Sequence, residues 1–539
     1  MQIGFSEIPG FSNLFLDYLY EFENCGDFFK KYFRNSDKFE EQFRNRITPD
    51  NTLRVKLRSI ISGQYSLRAP SKLTIQNINS IENENTIAVI TEIQPYLFGG
   101  PLSAVYKIIS AIKLAQKLKE DFDEYNFVPV LWIESENSNF DEITSFYYKN
   151  KDGLFSDLRY GSTGDEADES TFKELIFNSE ISELANVLFQ NLPQTNFTEQ
   201  TLKRLLQSYK TGATFTEAFS EFAYKLFDEY GLVIFNPSEI EVKKLLAPIF
   251  RQELINFREH AEKLVESTAE LDDLYGADEK LVPLNLYLTI DNQKLLIEPV
   301  ENQFRLHTKR KRITEEELLR ILKDEPEKIT PATLLVPICQ NYLFQTGFRI
   351  ANGDEISRLA QSEQLYDFFD IEPPFIYPAI SATLLDEKSL KYINENDISF
   401  QTVFLNDSDV GNIDAVNQSN AIDELFNMAK VGIAEKLAEL EEQLNLTDND
   451  SDDEVRNTAK EISLLLENLR DKIKLSRRMK EQKLNSQLEE IKNAVFPHEV
   501  LQEKRFATVA FINKYGEDFI KILFNKLNVA KTDHQIIEI

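Results

Sequence analysis

Two hydrophobic periodicities divide this chain. Up to about residue 400, short β-branched runs are interleaved with helical stripes, and from about Ala421 apolar residues recur at helical spacing alone. Thr86-Ile87-Ala88-Val89-Ile90-Thr91 is apolar without alternation, which predicts a strand buried on both faces of a parallel sheet. Glu92 to Gly100 reads as a loop. Pro101 then suits the first turn of a helix, where a missing N–H leaves nothing unpaired. From Leu102 to about Lys119, the residues Val105, Ile108, Ile109, Ile112 and Ala115 form one apolar stripe. Phe127-Val128-Pro129-Val130-Leu131-Trp132-Ile133 is a second apolar strand. Strand, helix and strand in this order predict a βαβ crossover.

Around this unit the pattern is less regular. Residues 11–65 read as helices whose Phe and Tyr residues belong to a core. Residues 150–230 read as helical and acidic, with a loose stretch at Gly161-Ser162-Thr163-Gly164-Asp165-Glu166. Gly231-Leu232-Val233-Ile234-Phe235 predicts a third strand ended by Asn236-Pro237. The helix behind it is expected to open on a capping box of Ser238 and Glu241. Leu284–Ile290 alternates at period two and turns at Asp291-Asn292 into Leu295–Glu298, a predicted hairpin. Thr314 and Glu317 form another capping box, and Pro373–Pro378 frames a last short strand.

The later region carries Ile422, Phe426, Ala429, Ile433, Leu437, Leu440 and Leu444, at spacings 4-3-4-4-3-4, close to a heptad seam. An acidic turn, Thr447–Asp453, separates it from Val455, Ala459, Ile462, Leu466, Leu469 and Ile473. A basic break is expected before Leu484, Leu488, Ile491 and Val495. The prediction is an antiparallel helical hairpin, too thin to bury both its faces by itself, and therefore a homodimer. The implied organisation is a core at 1–395, an arm at 396–500 and a returning segment at 501–539.

Charge and composition narrow the function. The chain has 90 acidic and 60 basic residues, net −30, which disfavours phosphate backbones and anionic lipid. Its strongest basic run, Lys309-Arg310-Lys311-Arg312, leads into the Thr314 helix start and reads as a solvated face, so neither nucleic acid nor membrane is expected as a partner. Cys25 and Cys339 are far apart and the four histidines show no ligand spacing, so no metal site is expected. The first residues carry neither a basic nor an apolar targeting signal, and the expected location is cytoplasmic.

Ligands of open α/β sheets bind beyond the carboxyl ends of the strands, beside helix N-termini. Two loops qualify. The first runs from Gln94 through Phe98, Gly99 and Gly100, whose glycines permit a close backbone approach to a ligand. The second is Glu134-Ser135-Glu136-Asn137-Ser138-Asn139-Phe140-Asp141-Glu142, dense in carboxylates and amides suited to an amine or hydroxyl-rich substrate, or to an ordinary capped helix start at Asn139.

Leu97-Phe98-Gly99-Gly100-Pro101-Leu102 followed by Tyr106–Ala115, then Phe127–Ile133 and Phe140-Asp141-Glu142-Ile143, resembles the bacillithiol biosynthesis cysteine-adding enzymes, the BshC family. The resemblance continues through Tyr230–Ile234, Leu246–Phe250, Pro378 with Ser381–Leu384, and Phe496-Pro497 with Leu501–Lys504. It implies an α/β fold: a Rossmann-like core related to class I nucleotidyl transferases, with a long antiparallel coiled-coil arm. It implies a ligase that adds cysteine to glucosaminyl-malate, with ATP for carboxyl activation. It further implies Glu136 and Asp141 as catalytic residues, and Gln94, Phe98, Gly99, Gly100, Lys107, Asn137, Ser138, Asn139, Asn236, Glu355 and Gln361 as substrate or nucleotide contacts. Departures from the family pattern fall in the same loops. Glu92 stands where the pattern has glycine, Asn137-Ser138-Asn139 where it has Asp-His-Asp, and Asn236 where it has aspartate. These leave a second reading open, a homologue that keeps the dimer and pocket as a binding or scaffold protein.

Overall fold

The computed structural model describes all residues except 47–50, 138, 162–174, 278, 308–310, 405–412 and 446–450, and describes only the backbone of 413–423, 441, 443–445, 451–456 and 477–485. The chain divides into two compact units, 1–384 with 500–539, and 385–499.

The centre of the first unit is a parallel sheet of five strands. In chain order these are β1 (Thr86–Ile93), β2 (Asn126–Ile133), β3 (Val233–Phe235), β4 (Thr346–Ala351) and β5 (Phe375–Pro378). Their spatial order is β5-β4-β1-β2-β3, with all neighbours parallel. The chain therefore builds β1, β2 and β3 toward one edge, then crosses back to place β4 on the other side of β1. The crevice beyond the carboxyl ends of β1 and β4 is the topological switch point of such a sheet.

The predicted βαβ unit is present. Every residue of β1 is buried, as its unbroken apolar run requires. Helix α1 (Leu102–Asp121) buries the predicted stripe and also Tyr106, Ser110 and Leu114; Ser110 Oγ accepts from Ile380 N at 2.8 Å, and the returning segment at Gln502–Arg505 packs on the helix as well. Pro101 is the residue just before the first helical turn. The third strand is shorter than predicted, since Gly231 takes a left-handed conformation that ends the preceding turn. The following helix α2 (Ile240–Tyr275) opens after Glu239 without the expected capping box; Ser238 Oγ donates to Asn236 Oδ1 at 2.8 Å instead. The Thr314–Glu317 box is formed. The aromatic N-terminal region is core: Phe33 packs on Tyr377 and Phe39 on Phe348 and Phe375.

Two sheets were underread in sequence. The predicted hairpin extends to five antiparallel strands, Leu286–Ile290, Gln293–Val300, Gln303–Leu306, Arg312–Ile313 and Ile329–Pro331. Phe155–Arg159, within the 150–230 stretch read as helical, is a strand that pairs with Ser145–Lys149 just before it in a two-stranded hairpin. The chain termini also pair, Gln2 with Gln535 and Ile3 with His534. The loose stretch beyond Gly161, as well as Lys309 and Arg310 of the basic run, lie outside the described residues.

The second unit contains the two predicted helices, Ile413–Asn445 and Ser451–Val495, packed along each other and joined by a Lys430–Glu467 ion pair at 2.5 Å. The second helix runs through the basic stretch unbroken. Phe426, Ile433, Leu437, Ala459, Ile462, Leu466 and Ile473 are only half-buried. Leu440 and Leu469, expected in the seam, are exposed, as are Leu425, Met428, Val431, Leu464, Leu465 and Leu475. A two-helix ribbon has too little thickness to cover both sides of its apolar rows. The turn at 447–450 and the side chains of Ile422, Leu444, Val455 and Leu484 lie outside the described residues.

Candidate active site

A cavity of about 500 Å³ opens at the switch point. Its wall takes Glu92 and Ile93 from the end of β1, Gln94 and Tyr96 from the next loop, and Ser103, Ala104 and Lys107 from the first two turns of α1. Glu134 and Asn137 follow β2, while Asn352, Asp354, Glu355 and Arg358 follow β4. Parallel strands bring these segments together because each ends at the same side of the sheet. A second cavity of about 530 Å³, lined by Lys30, Lys31 and Glu372, borders the amino end of β5, away from that crevice.

The centre of the site is a buried charge network. Glu92 Oε2 accepts from Arg349 Nη2 at 2.6 Å and from Gln340 Nε2 at 2.7 Å, while Oε1 accepts from Arg358 Nη1 at 3.0 Å. Lys107 Nζ donates to the Glu92 carbonyl at 2.7 Å and pairs with Glu355 Oε2 at 2.7 Å; Arg358 also reaches Glu355 Oε1 at 3.2 Å. Burial works to raise the Glu92 carboxyl, but Arg358, Arg349 and Lys107 outweigh it and hold the group at about 2. Glu134 is the opposite case. Burial, then the negative charges of Glu92 and Glu136, push it up to about 7, even though its Oε1 accepts from the backbone N–H groups of Glu136 and Asn137. Two carboxylates at the ends of adjacent strands thus have proton affinities forced far apart, a pattern typical of functional sites.

The structure sorts the residues named from sequence. Gln94, Lys107, Asn137 and Glu355 come together in the cavity wall. Asn139 borders it, donating its N–H to Gln94 Oε1 at 2.8 Å and capping the short helix through Asp141 N at 3.1 Å. Gln361 lies behind the wall, bonded to the backbone of the cavity residue Glu279 at 3.0 and 2.9 Å. Glu136 also lies behind it, tied to the buried Lys243 and to Thr330 at 3.3 Å. Phe98, Gly99 and Gly100 are directed into protein rather than toward the cavity. Gly99 has φ +85° and a Cβ there would stand 2.3 Å from the Phe222 ring, so the glycine is required by packing. Asp141 is exposed and pairs with Arg159; Asn236 is bonded to Gln64 and Ser238 at the far edge of the sheet. Ser138 lies outside the described residues.

Glu134 lies in the carboxylate-rich loop that the sequence marks for a ligand, Glu92 stood out only as a departure from the family pattern, and Arg349, Arg358 and Gln340 were not foreseen. One signal was available: Arg349 is a lone charge within the apolar run Phe348–Ala351, and a buried strand accepts a charge only when another element supplies its partner. Among the described residues no cluster of His, Cys, Asp and Glu suits a metal ion, and no helix is long and apolar enough to cross a membrane.

Residues 1–380 match the family model described as bacillithiol biosynthesis BshC, N-terminal Rossmann-like domain, and residues 382–539 match the C-terminal coiled-coil domain of the same proteins. The chain belongs to the BshC family. Relatives carrying the name "Putative cysteine ligase BshC" align end to end. That of Flavobacterium psychrophilum is 28% identical over 99% of both chains. That of Chloroherpeton thalassium is 27% identical over 98% of this chain and 96% of its own. The Christiangramia forsetii protein is 28% identical over 99% and 98%. The family accounts for both structural units, the parallel Rossmann-like sheet and the coiled-coil hairpin.

Proposed function

We propose that this BshC-family chain is a cysteine ligase, joining the carboxyl of cysteine to the amine of glucosaminyl-malate, with Glu134 taking the proton that the acceptor's ammonium must lose. The observation that carries the reading is the placement of a carboxylate-lined cavity at the switch point of a sheet whose whole chain aligns with relatives named as cysteine ligases. An incoming ammonium meets Glu134, Glu142 and Glu279 on the wall. A buried carboxylate with proton affinity near 7 accepts its proton at neutral pH. The freed lone pair then attacks the acyl carbon; the C–N bond forms and the bond to the leaving group breaks, the leaving group taking the electron pair. The cavity's contribution to this step is positioning and the proton sink.

An acyl donor of this kind requires activation, for which ATP is the expected source. The cavity does not fit a polyphosphate as it stands. Lys107 and Arg358, the two cations among its described lining residues, are held by Glu355 and Glu92. The half-buried seam of the arm supports a homodimer, with the outer apolar rows covered by a second copy.

The self-neutralised cations favour one competing reading, a dimeric binding or scaffold homologue without catalysis. Incubating the purified chain with glucosaminyl-malate, cysteine and ATP, then assaying bacillithiol by mass spectrometry, separates the two. Product is expected, with a rate that rises with pH through about 7 and loses that rise in E134Q. No product at high enzyme concentration refutes the ligase reading.

A further inference from the structure

The cavity's inner end is already occupied by part of the protein. Arg349, Arg358 and Gln340 converge on one carboxylate, with three donor contacts of 2.6 to 3.0 Å, the arrangement by which proteins hold an anionic ligand. The carboxylate they hold is the Glu92 side chain, which closes β1 at the switch point, where the phosphate or carboxylate of a ligand lies in sheets of this topology. Glu92 and Arg358 both line the cavity, so the network belongs to its wall and not to the deep core.

We infer that Glu92 is the specificity determinant of the inner end of this cavity: by filling the Arg349–Arg358–Gln340 cradle it excludes carboxylate and phosphate groups from that end and leaves it to amine and neutral groups, so that the anionic part of a ligand lies toward the cavity mouth. Two guanidinium groups cannot be left in a dry cradle without a counter-charge, and an internal glutamate supplies one without the entropic cost that a free anion meets on binding. A ligand anion at that end would face Glu92, Glu134 and Glu355, with Lys107 and Arg358, the cations among the described lining residues, already paired. The assignment holds whatever reaction the cavity serves.

The test is replacement of the internal anion by an external one. In E92A the cradle loses its carboxylate and gains a space the size of acetate. Sodium acetate should raise the thermal midpoint of E92A saturably, while sodium chloride at equal ionic strength does not, and the wild type should respond to neither. Titration calorimetry with inorganic phosphate and with acetate should show binding to E92A roughly tenfold or more tighter than to the wild type. Adding R349M and R358M to E92A should abolish the acetate response. If E92A folds only when expressed or refolded with acetate, that recovery supports the assignment in the same way. Failure of acetate to stabilise or recover E92A, or binding of acetate or phosphate to the wild type as tightly as to E92A, would overturn it.

Discussion

Lys243 is fully buried on α2, and its ammonium is bound to the carboxylate of Glu136 in the loop after β2, behind the cavity wall. Lys243→Met keeps the length and most of the volume of the side chain while removing its charge, so the packing loss is small. What remains is a buried Glu136 carboxylate whose Oε2 has lost its partner, with Thr330 still at 3.3 Å from Oε1. Breaking a buried ion pair from one side costs about 3–5 kcal/mol, a large share of the roughly 5–15 kcal/mol that holds a typical domain folded. The double variant E136M/K243M replaces both charges by apolar groups and should recover most of that loss, because the desolvation of two ions is then no longer required. Urea unfolding followed by intrinsic fluorescence suits the measurement, since the chain's single tryptophan, Trp132, is buried on β2 against Phe235. The expected result is a lowered midpoint for K243M and a near-normal one for the double variant. A K243M midpoint equal to that of the wild type would refute the claim that this pair holds the loop. A double variant as unstable as the single one would show that shape, not charge, governs the position.

Two further outcomes follow from other parts of the molecule. Glu134 binds its proton more tightly folded, near 7, than at its ordinary value of 4.5, so the native state loses stability as pH rises between those values. E134Q should flatten the fall in unfolding free energy over that range, by up to roughly 3 kcal/mol once the pH has passed 7; Glu363 and Glu503, shifted in the same direction, leave a residual slope, and an unchanged curve would remove Glu134 as its source. Deleting about residues 421–495, or introducing L464E with L465E on the exposed arm face, should yield monomers in sedimentation, whereas a dimer that persists would separate assembly from the arm.

What the sequence determined by itself is the part of the protein set by local pattern. The unbroken apolar run of β1, the stripe of α1 and the heptad-like rows of the arm each specify an element through burial periodicity, which is written in consecutive residues. The Thr314 box and the Asn139 cap were legible for the same reason: both partners lie within three residues. The glycines of the first loop were visible but misread, because Phe222 and Tyr96, which forbid a Cβ there, come from elsewhere or depend on the turn itself. Only the tertiary structure decided the site. The distance in sequence from Glu92 to Gln340, Arg349 and Arg358 is about 250 residues, and the return of β4 beside β1 is what brings them within hydrogen-bonding range. The pairing of β2 with β1 places Glu134 in the same wall beside other carboxylates, and the helix behind β3 supplies the Lys243 that draws Glu136 behind it. Hydrophobic spacing fixes which face of an element is buried, but a charge takes its function from the partner that burial delivers, and that partner is chosen by the order of strands in the sheet.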